Sequence, residues 1–168
     1  MRLCYEHLTA EHAQALFPAL ADPAVYQHID DPPPTTPDEL AARFERMSGG
    51  PPPHRADESW WNFAVRLRET GLAVGRLEAT IVGGRAEVAY LFGQAYWGHG
   101  YATEALGWLH QQLRERTVAA TFWATARPEN ARSIRLLLRS GYAEVNEWPP
   151  LTSYDPGDVV YSRRATAG

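Results

Sequence analysis

Apolar residues change their spacing several times along this chain, and each change predicts an element. From Leu3 to His7 they alternate weakly, as in a strand; after Thr9, placed to cap a helix, Ala13, Leu16, Phe17 and Leu20 recur at helical spacing. Pro23 and the run Asp30-Asp31-Pro32-Pro33-Pro34 then break the regular spacing. Thr36-Pro37-Asp38-Glu39 is the clearest helix start: Thr as cap, Pro at the first helical position, and Glu closing a capping box. Leu40, Phe44 and Met47 supply the buried stripe of that helix, and the glycines and prolines of Ser48 to Pro53 predict a loop.

Three strands are predicted over Trp60 to Leu67, Leu72 to Ile81 and Ala86 to Phe92, with Gly83-Gly84 as a hairpin signal between the last two. A helix then buries Ala102, Ala105, Leu106, Leu109 and Leu113, and Ala119 to Thr125 reads as a strand returning to the sheet. Residues 86–125 therefore form a βαβ crossover, with a glycine loop at the carboxyl end of its first strand, where open sheets bind ligands. Asn130 caps a further helix whose apolar face is Ile134, Leu137 and Leu138, and Gly141 stops it as a left-handed residue does. Tyr142 to Trp148 and Asp158 to Arg163 are the last strands. The class predicted is α+β: one domain over 1–168, with a mostly antiparallel twisted sheet, a central βαβ unit, a split near Ala86 to Phe92, and helices on both faces.

Chemistry enters at Gly98-His99-Gly100, between that strand and that helix. Glycine lets the backbone turn tightly, and the unpaired N–H groups of the helix start then point at an arriving anion, so the expected guest is a phosphate-bearing cofactor. The plainer alternative is a tight strand-to-helix turn. A Walker loop is excluded, because it needs a lysine and all 16 basic residues are arginine. A dinucleotide fingerprint lacks its third small residue, Thr103 standing there, and its acidic residue about 20 positions on. No metal motif, nucleophile elbow or Schiff-base lysine is present, so metal and covalent catalysis are not expected. A net charge of −4 with pI near 5.8 predicts no general attraction to nucleic acid or anionic membrane. The single cysteine, Cys4, and the absence of an apolar leader or spanning run predict a cytoplasmic protein.

The pairing of Tyr96-Trp97-Gly98-His99-Gly100-Tyr101-Ala102-Thr103-Glu104-Ala105 with Asn130, Ser133, Gly141 and Tyr142 resembles the GNAT N-acetyltransferases, particularly the branch that includes the ribosomal-protein N-terminal acetyltransferases. The resemblance covers most of the chain and implies a GNAT-like mixed sheet. It also implies transfer of an acetyl group from acetyl-CoA to a primary amine, by direct transfer in a ternary complex. By similarity, Gly98, His99, Gly100, Tyr101, Ala102 and Thr103 would hold the pyrophosphate of coenzyme A, and Asn130 and Ser133 would face its pantetheine and thioester. A bulge near Leu91 and Phe92 would offer the oxyanion a backbone N–H. Three departures stand out: Ala95 where the family often has Gln or Arg, Leu137 where many relatives carry a proton-donating tyrosine, and a proline-rich stretch before Trp60. With Leu137 in that place, Ser133 becomes the candidate acid.

An ammonium with pKa about 10.4 is neutral only about once in 10³ molecules at pH 7, so a base is required. Glu87 and Glu78, on adjacent predicted strands, are the candidates, each being otherwise a surface carboxylate. Arg132, Arg135 and Arg139 share one helix face, which is either a solvated side or a contact for CoA phosphates through Arg132 or Arg135. His99 reads as a backbone spacer, and one of Trp60 and Trp61 faces the core. The acceptor pocket is expected between Tyr26 to Thr36 and Trp148 to Gly157, whose Asp30, Asp31 and Asp155 suit a cation or simply form turns. A protein N-terminus, a polyamine and an aminoglycoside all fit, in a monomer or homodimer. The rival from another class is a non-catalytic acyl-CoA-binding or sensor module on the same fold.

Overall fold

A computed structural model describes residues 1–165. Its seven strands form one sheet: β1 (Leu3–His7), β2 (Ser59–Leu67), β3 (Ala73–Val82), β4 (Arg85–Phe92), β5 (Thr121–Ala126), β6 (Ala143–Val145) and β7 (Val159–Arg164). They lie side by side in the order β1-β2-β3-β4-β5-β7-β6. Every pairing is antiparallel except β4 with β5, which is parallel because α3 (Tyr101–Arg116) carries the chain across from one to the other. The expected βαβ unit is therefore present.

Alternation along the strands sends apolar side chains to both faces, and the helices cover both. On one face α1 (Ala13–Leu20) and α2 (Pro37–Ser48) bury Leu16, Leu20, Leu40 and Phe44 against Ala64, Ala73 and Leu91. On the other, α3 buries Leu106, Leu109 and Leu113, and α4 (Ala131–Arg139) buries Leu136 and Leu137, against Val65, Leu77, Val88 and Phe122. The predicted cap of α2 is present, Thr36 Oγ1 accepting from the Glu39 amide at 3.1 Å. The box closes differently, because the Glu39 carboxylate reaches one residue further back and accepts from the amide and hydroxyl of Thr35 at 2.8 and 2.9 Å. With Arg43 alongside, those bonds push the Glu39 carboxyl down to about 2. Gly141, at φ +82°, ends α4 in the left-handed conformation expected of it.

Two sequence expectations are corrected here. β4 keeps unbroken register with β3, from Gly75 opposite Phe92 to Val82 opposite Arg85, so no bulge lies between these two strands at Leu91 and Phe92. The register shift falls instead in β2, between Val65 and Arg66. β6 is also shorter than the predicted Tyr142 to Trp148.

One polar knot lies inside the apolar core. His110, on α3, is 2% exposed, stacks on Phe122 with ring centres 4.9 Å apart, and shares a 2.8 Å hydrogen bond between its Nε2 and Tyr142 OH. Burial, with the Arg163 and Arg114 charges, pushes its pKa down to about 3, so the native state holds the ring neutral. An unfolded histidine titrates near 6.5; below that pH the unfolded chain binds a proton that the native chain refuses, and stability is lost. His110→Gln keeps a polar partner for Tyr142 without titrating. Unfolding free energies from denaturant titrations should therefore fall more steeply for the parent than for this variant as pH drops from about 6.5 towards 3, by up to about 1.4 kcal/mol per pH unit, and should run parallel above that window. Parallel curves throughout would show that His110 is not held neutral.

Candidate active site

The parallel ladder between β4 and β5 lasts only from Arg85 opposite Thr121 to Glu87 opposite Trp123. Beyond Glu87 the two strands part, as the sequence predicted for this stretch. The gap opens into a cavity of about 1090 Å³, lined on the β4 side by Val88 to Phe92 and on the β5 side by Ala124 to Arg127.

The glycine loop closes one end. Gly98 and Gly100 have φ of +79° and +76°, the left-handed region that glycine enters without strain. Glu104 is the first amide of α3 bonded back to the loop, to the Gly100 carbonyl at 3.1 Å, so the amides of Tyr101, Ala102 and Thr103 form the free donor set of the helix start. The Glu104 carboxylate would oppose an anion there, but it is drawn to the chain start. It accepts from the Arg2 amide at 2.6 Å, from Arg2 Nε at 2.9 Å and from the Leu3 amide at 3.2 Å. Arg2 also donates to the His99 carbonyl at 2.9 Å, which gives His99 the backbone role the sequence assigned to it; Gly98 and Gly100 line the cavity on either side of it. Trp97 Nε1 donates to the Phe92 carbonyl at 2.8 Å, and the Arg132 guanidinium lies 3.3 Å above its ring.

Asn130 caps α4 through its side chain, accepting from the Ser133 amide at 3.1 Å. Asn130, Arg132, Ser133, Arg135 and Arg139 all line the cavity, together with Leu91, Phe92, Tyr101, Ala102 and Thr103. Ser133 Oγ is hydrogen-bonded to Tyr90 OH at 2.7 Å. Sequence reasoning missed Tyr90, because only the register of β4 against α4 brings residues 43 apart together.

The two candidate bases separate. Glu78 lines the cavity and pairs with Arg76, two residues earlier on β3. Glu87 is 5% exposed, lies outside the cavity lining, and is hydrogen-bonded through both oxygens: Oε1 accepts from the Thr152 amide at 2.9 Å, and Oε2 from the Ser153 amide and hydroxyl, each at 3.0 Å. Together with Arg85, which donates to the Pro150 carbonyl at 3.1 Å, it ties down the segment before β7.

That segment and residues 28–31 form the other end of the cavity. Asp30, Asp31, Asp155, Asp158 and Glu78 line it against two guanidiniums, those of Arg76 and Arg127. Arg127 pairs with Asp30 at 2.7 Å and lies 3.4 Å from Asp158, so Asp30 already has a partner within the chain. Trp61 packs against the core, whereas Trp60 borders a second, smaller cavity beside α2, near Asp31 and Arg76.

A strand pair opened by a crossover helix, a glycine cradle and an Asn-capped helix thus line one cavity. The family model "Acetyltransferase (GNAT) domain" matches residues 2–143, and the chain belongs to the GNAT acetyltransferases. Solved structures agree on the fold. A GNAT-family acetyltransferase from Bacillus anthracis superposes with a TM-score of 0.77 at 19% identity, covering 98% of this chain and 96% of its own. A GCN5-related N-acetyltransferase from Brucella melitensis gives 0.79 at 19% identity, covering 98% and 76%. Spermidine N-acetyltransferase from Vibrio cholerae, solved with CoA and spermine, gives 0.73 at 14% identity, covering 98% and 96%. No curated protein matches the chain. Among the described residues, no helix is long and apolar enough to cross a membrane.

Glu87→Ala should release residues 150–153, since three donors lose one acceptor group. Amide exchange at Thr152 and Ser153 should accelerate by at least about tenfold, with a stability loss of about 1–3 kcal/mol. Unchanged exchange there would show that Arg85 and the chain turns hold the segment without Glu87.

Proposed function

We propose that the chain moves the acetyl group of acetyl-CoA to a primary amine that carries further positive charge, such as a polyamine, an aminoglycoside or a protein N-terminus in a basic setting. The observation that carries this reading is the polarity of the cavity. Its glycine-loop end offers free helix amides with Arg132 over Trp97, suited to the phosphates of CoA, and Arg135 and Arg139 also line the cavity, while its other end is lined mainly by carboxylates. On this reading the thioester lies in the gap between β4 and β5, where the β4 amides that have lost β5 as a partner are available to the oxyanion. Glu78 takes the ammonium proton, directly or through water, and the neutral amine attacks the thioester carbonyl. The tetrahedral intermediate then loses the second ammonium proton from its nitrogen to solvent, its C–S bond breaks to leave the neutral amide, and Ser133 gives the leaving sulfur a proton. Ser133 in place of a helix tyrosine is the feature shared with the ribosomal-protein branch. The rival, a non-catalytic acyl-CoA-binding module, has less support, because the candidate acid and base both line the cavity.

Release of free thiol from acetyl-CoA, followed across amines of rising charge, tests the acceptor class. kcat/KM should rise at least about tenfold from a neutral-tailed monoamine to a diamine of equal length, and high salt should erase much of the gain. A preference for neutral or anionic amines would contradict the acidic end as the acceptor wall. For the cofactor, calorimetric titration should show Gly100→Val losing at least about tenfold in acetyl-CoA affinity, because valine disfavours φ +76° and crowds the cradle. Unchanged affinity in a folded variant would place the cofactor elsewhere.

A further inference from the structure

The hydroxyl pair in the cavity wall raises the question of which oxygen donates. Tyr90 projects from β4 where that strand has lost β5 as a neighbour, Ser133 projects from the first turn of α4, and their oxygens are 2.7 Å apart. Each hydroxyl has one proton, and in this geometry either could fill the bond. Acidity decides. An alcohol resembles water, whose pKa is about 15.7, whereas burial raises Tyr90 only to about 12, so the phenol is the stronger acid and the better donor. With the phenol proton on Ser133 Oγ, the serine proton is turned away from Tyr90 and is available to the cavity.

We propose that Tyr90 acts through Ser133, the two hydroxyls forming a relay that delivers one proton to the departing thiolate of CoA. The inference rests on the acetyl-transfer reading above and names where its proton comes from. As the C–S bond breaks, its electron pair stays on sulfur, the Ser133 proton moves to that sulfur, and the Tyr90 proton replaces it on Ser133 Oγ. The balance leaves CoA thiol, an intact serine and a tyrosinate that solvent reprotonates before the next turnover. Serine alone would be left as an alkoxide, a far stronger base than a tyrosinate. The positive charge of Arg132 and the amide end of α4 both favour the anion. Leu137, where many relatives place a phenol, is fully buried in the core, and Tyr90 brings a phenol to the same helix from the facing strand.

Single-turnover thiol release from the parent, Tyr90→Phe, Ser133→Ala and the double variant tests the relay, using acetyl-CoA and its selenoester analogue, whose weakly basic selenolate departs without a proton. With the thioester, Tyr90→Phe should slow the chemical step by about 30- to 100-fold while acetyl-CoA affinity stays within about twofold, and the double variant should be no slower than the slower single one. With the selenoester, both single variants should come within about threefold of the parent. An equal deficit with both donors would reduce the pair to a structural contact and overturn the relay. Additive losses in the double variant would also overturn it. A slow Ser133→Ala beside a Tyr90→Phe as fast as the parent would remove Tyr90 and leave Ser133 as donor. A parent that releases no thiol with any amine would overturn the acceptor reading and the relay together.

Discussion

Three residue pairs hold β4 to β5, and the rest of the site depends on their separation after Glu87. A parallel strand pair inside a sheet normally continues until one strand ends; here both run on without each other, to Phe92 and Ala126. The unsatisfied edge of β4 and the free amides of α3 meet in one cavity because the crossover places the helix start directly after the strand. A backbone edge and a helix terminus are both donor-rich. Together they suit a long ligand that carries amides in its middle and phosphates at its end, as coenzyme A does.

The same separation divides the chemistry between two faces of the sheet. Leu77 is directly opposite Tyr90, and Glu78 is directly opposite Ala89, so alternation puts Tyr90 on the α3 side and Glu78 on the side of α1 and α2. A thioester lying in the gap would meet an acid from one side and a base from the other. The carboxylates around the acceptor end are not all free to recognise a cation. Asp30 is held by Arg127, Glu78 is paired with Arg76, and Glu87 is used to tie down residues 152 and 153, which leaves Asp31 and Asp155 as the cavity-lining carboxylates without an ion pair among the described residues.

What was legible in the sequence was local. The capped start at Thr36, the glycine cradle at Gly98 and Gly100, the Asn130 cap and the Gly141 stop each depend on a few adjacent residues whose backbone preferences act without help from the fold. The βαβ order was legible too, since a helix-period run between two strand-period runs permits few arrangements. Contacts between distant residues were not. Tyr90 with Ser133, Glu87 with residues 152 and 153, Arg127 with Asp30 and Arg2 with Glu104 depend on strand register and loop path, which single-chain periodicity does not contain. One predicted feature also changed for a physical reason: Glu87, read as a candidate base or otherwise a surface carboxylate, is covered by a folded-back loop whose donors it accepts from.

On the function proposed above, coenzyme A occupies the gap between β4 and β5 with its phosphates at the start of α3. Residue-resolved amide hydrogen exchange, with and without CoA, reads out both contacts at once. The amides of Tyr90 and Phe92, on the unpaired edge of β4, and those of Tyr101, Ala102 and Thr103 should slow on binding, while the ladder between β1 and β2 stays unchanged. Protection that appeared elsewhere and left both groups of amides exchanging as before would contradict it.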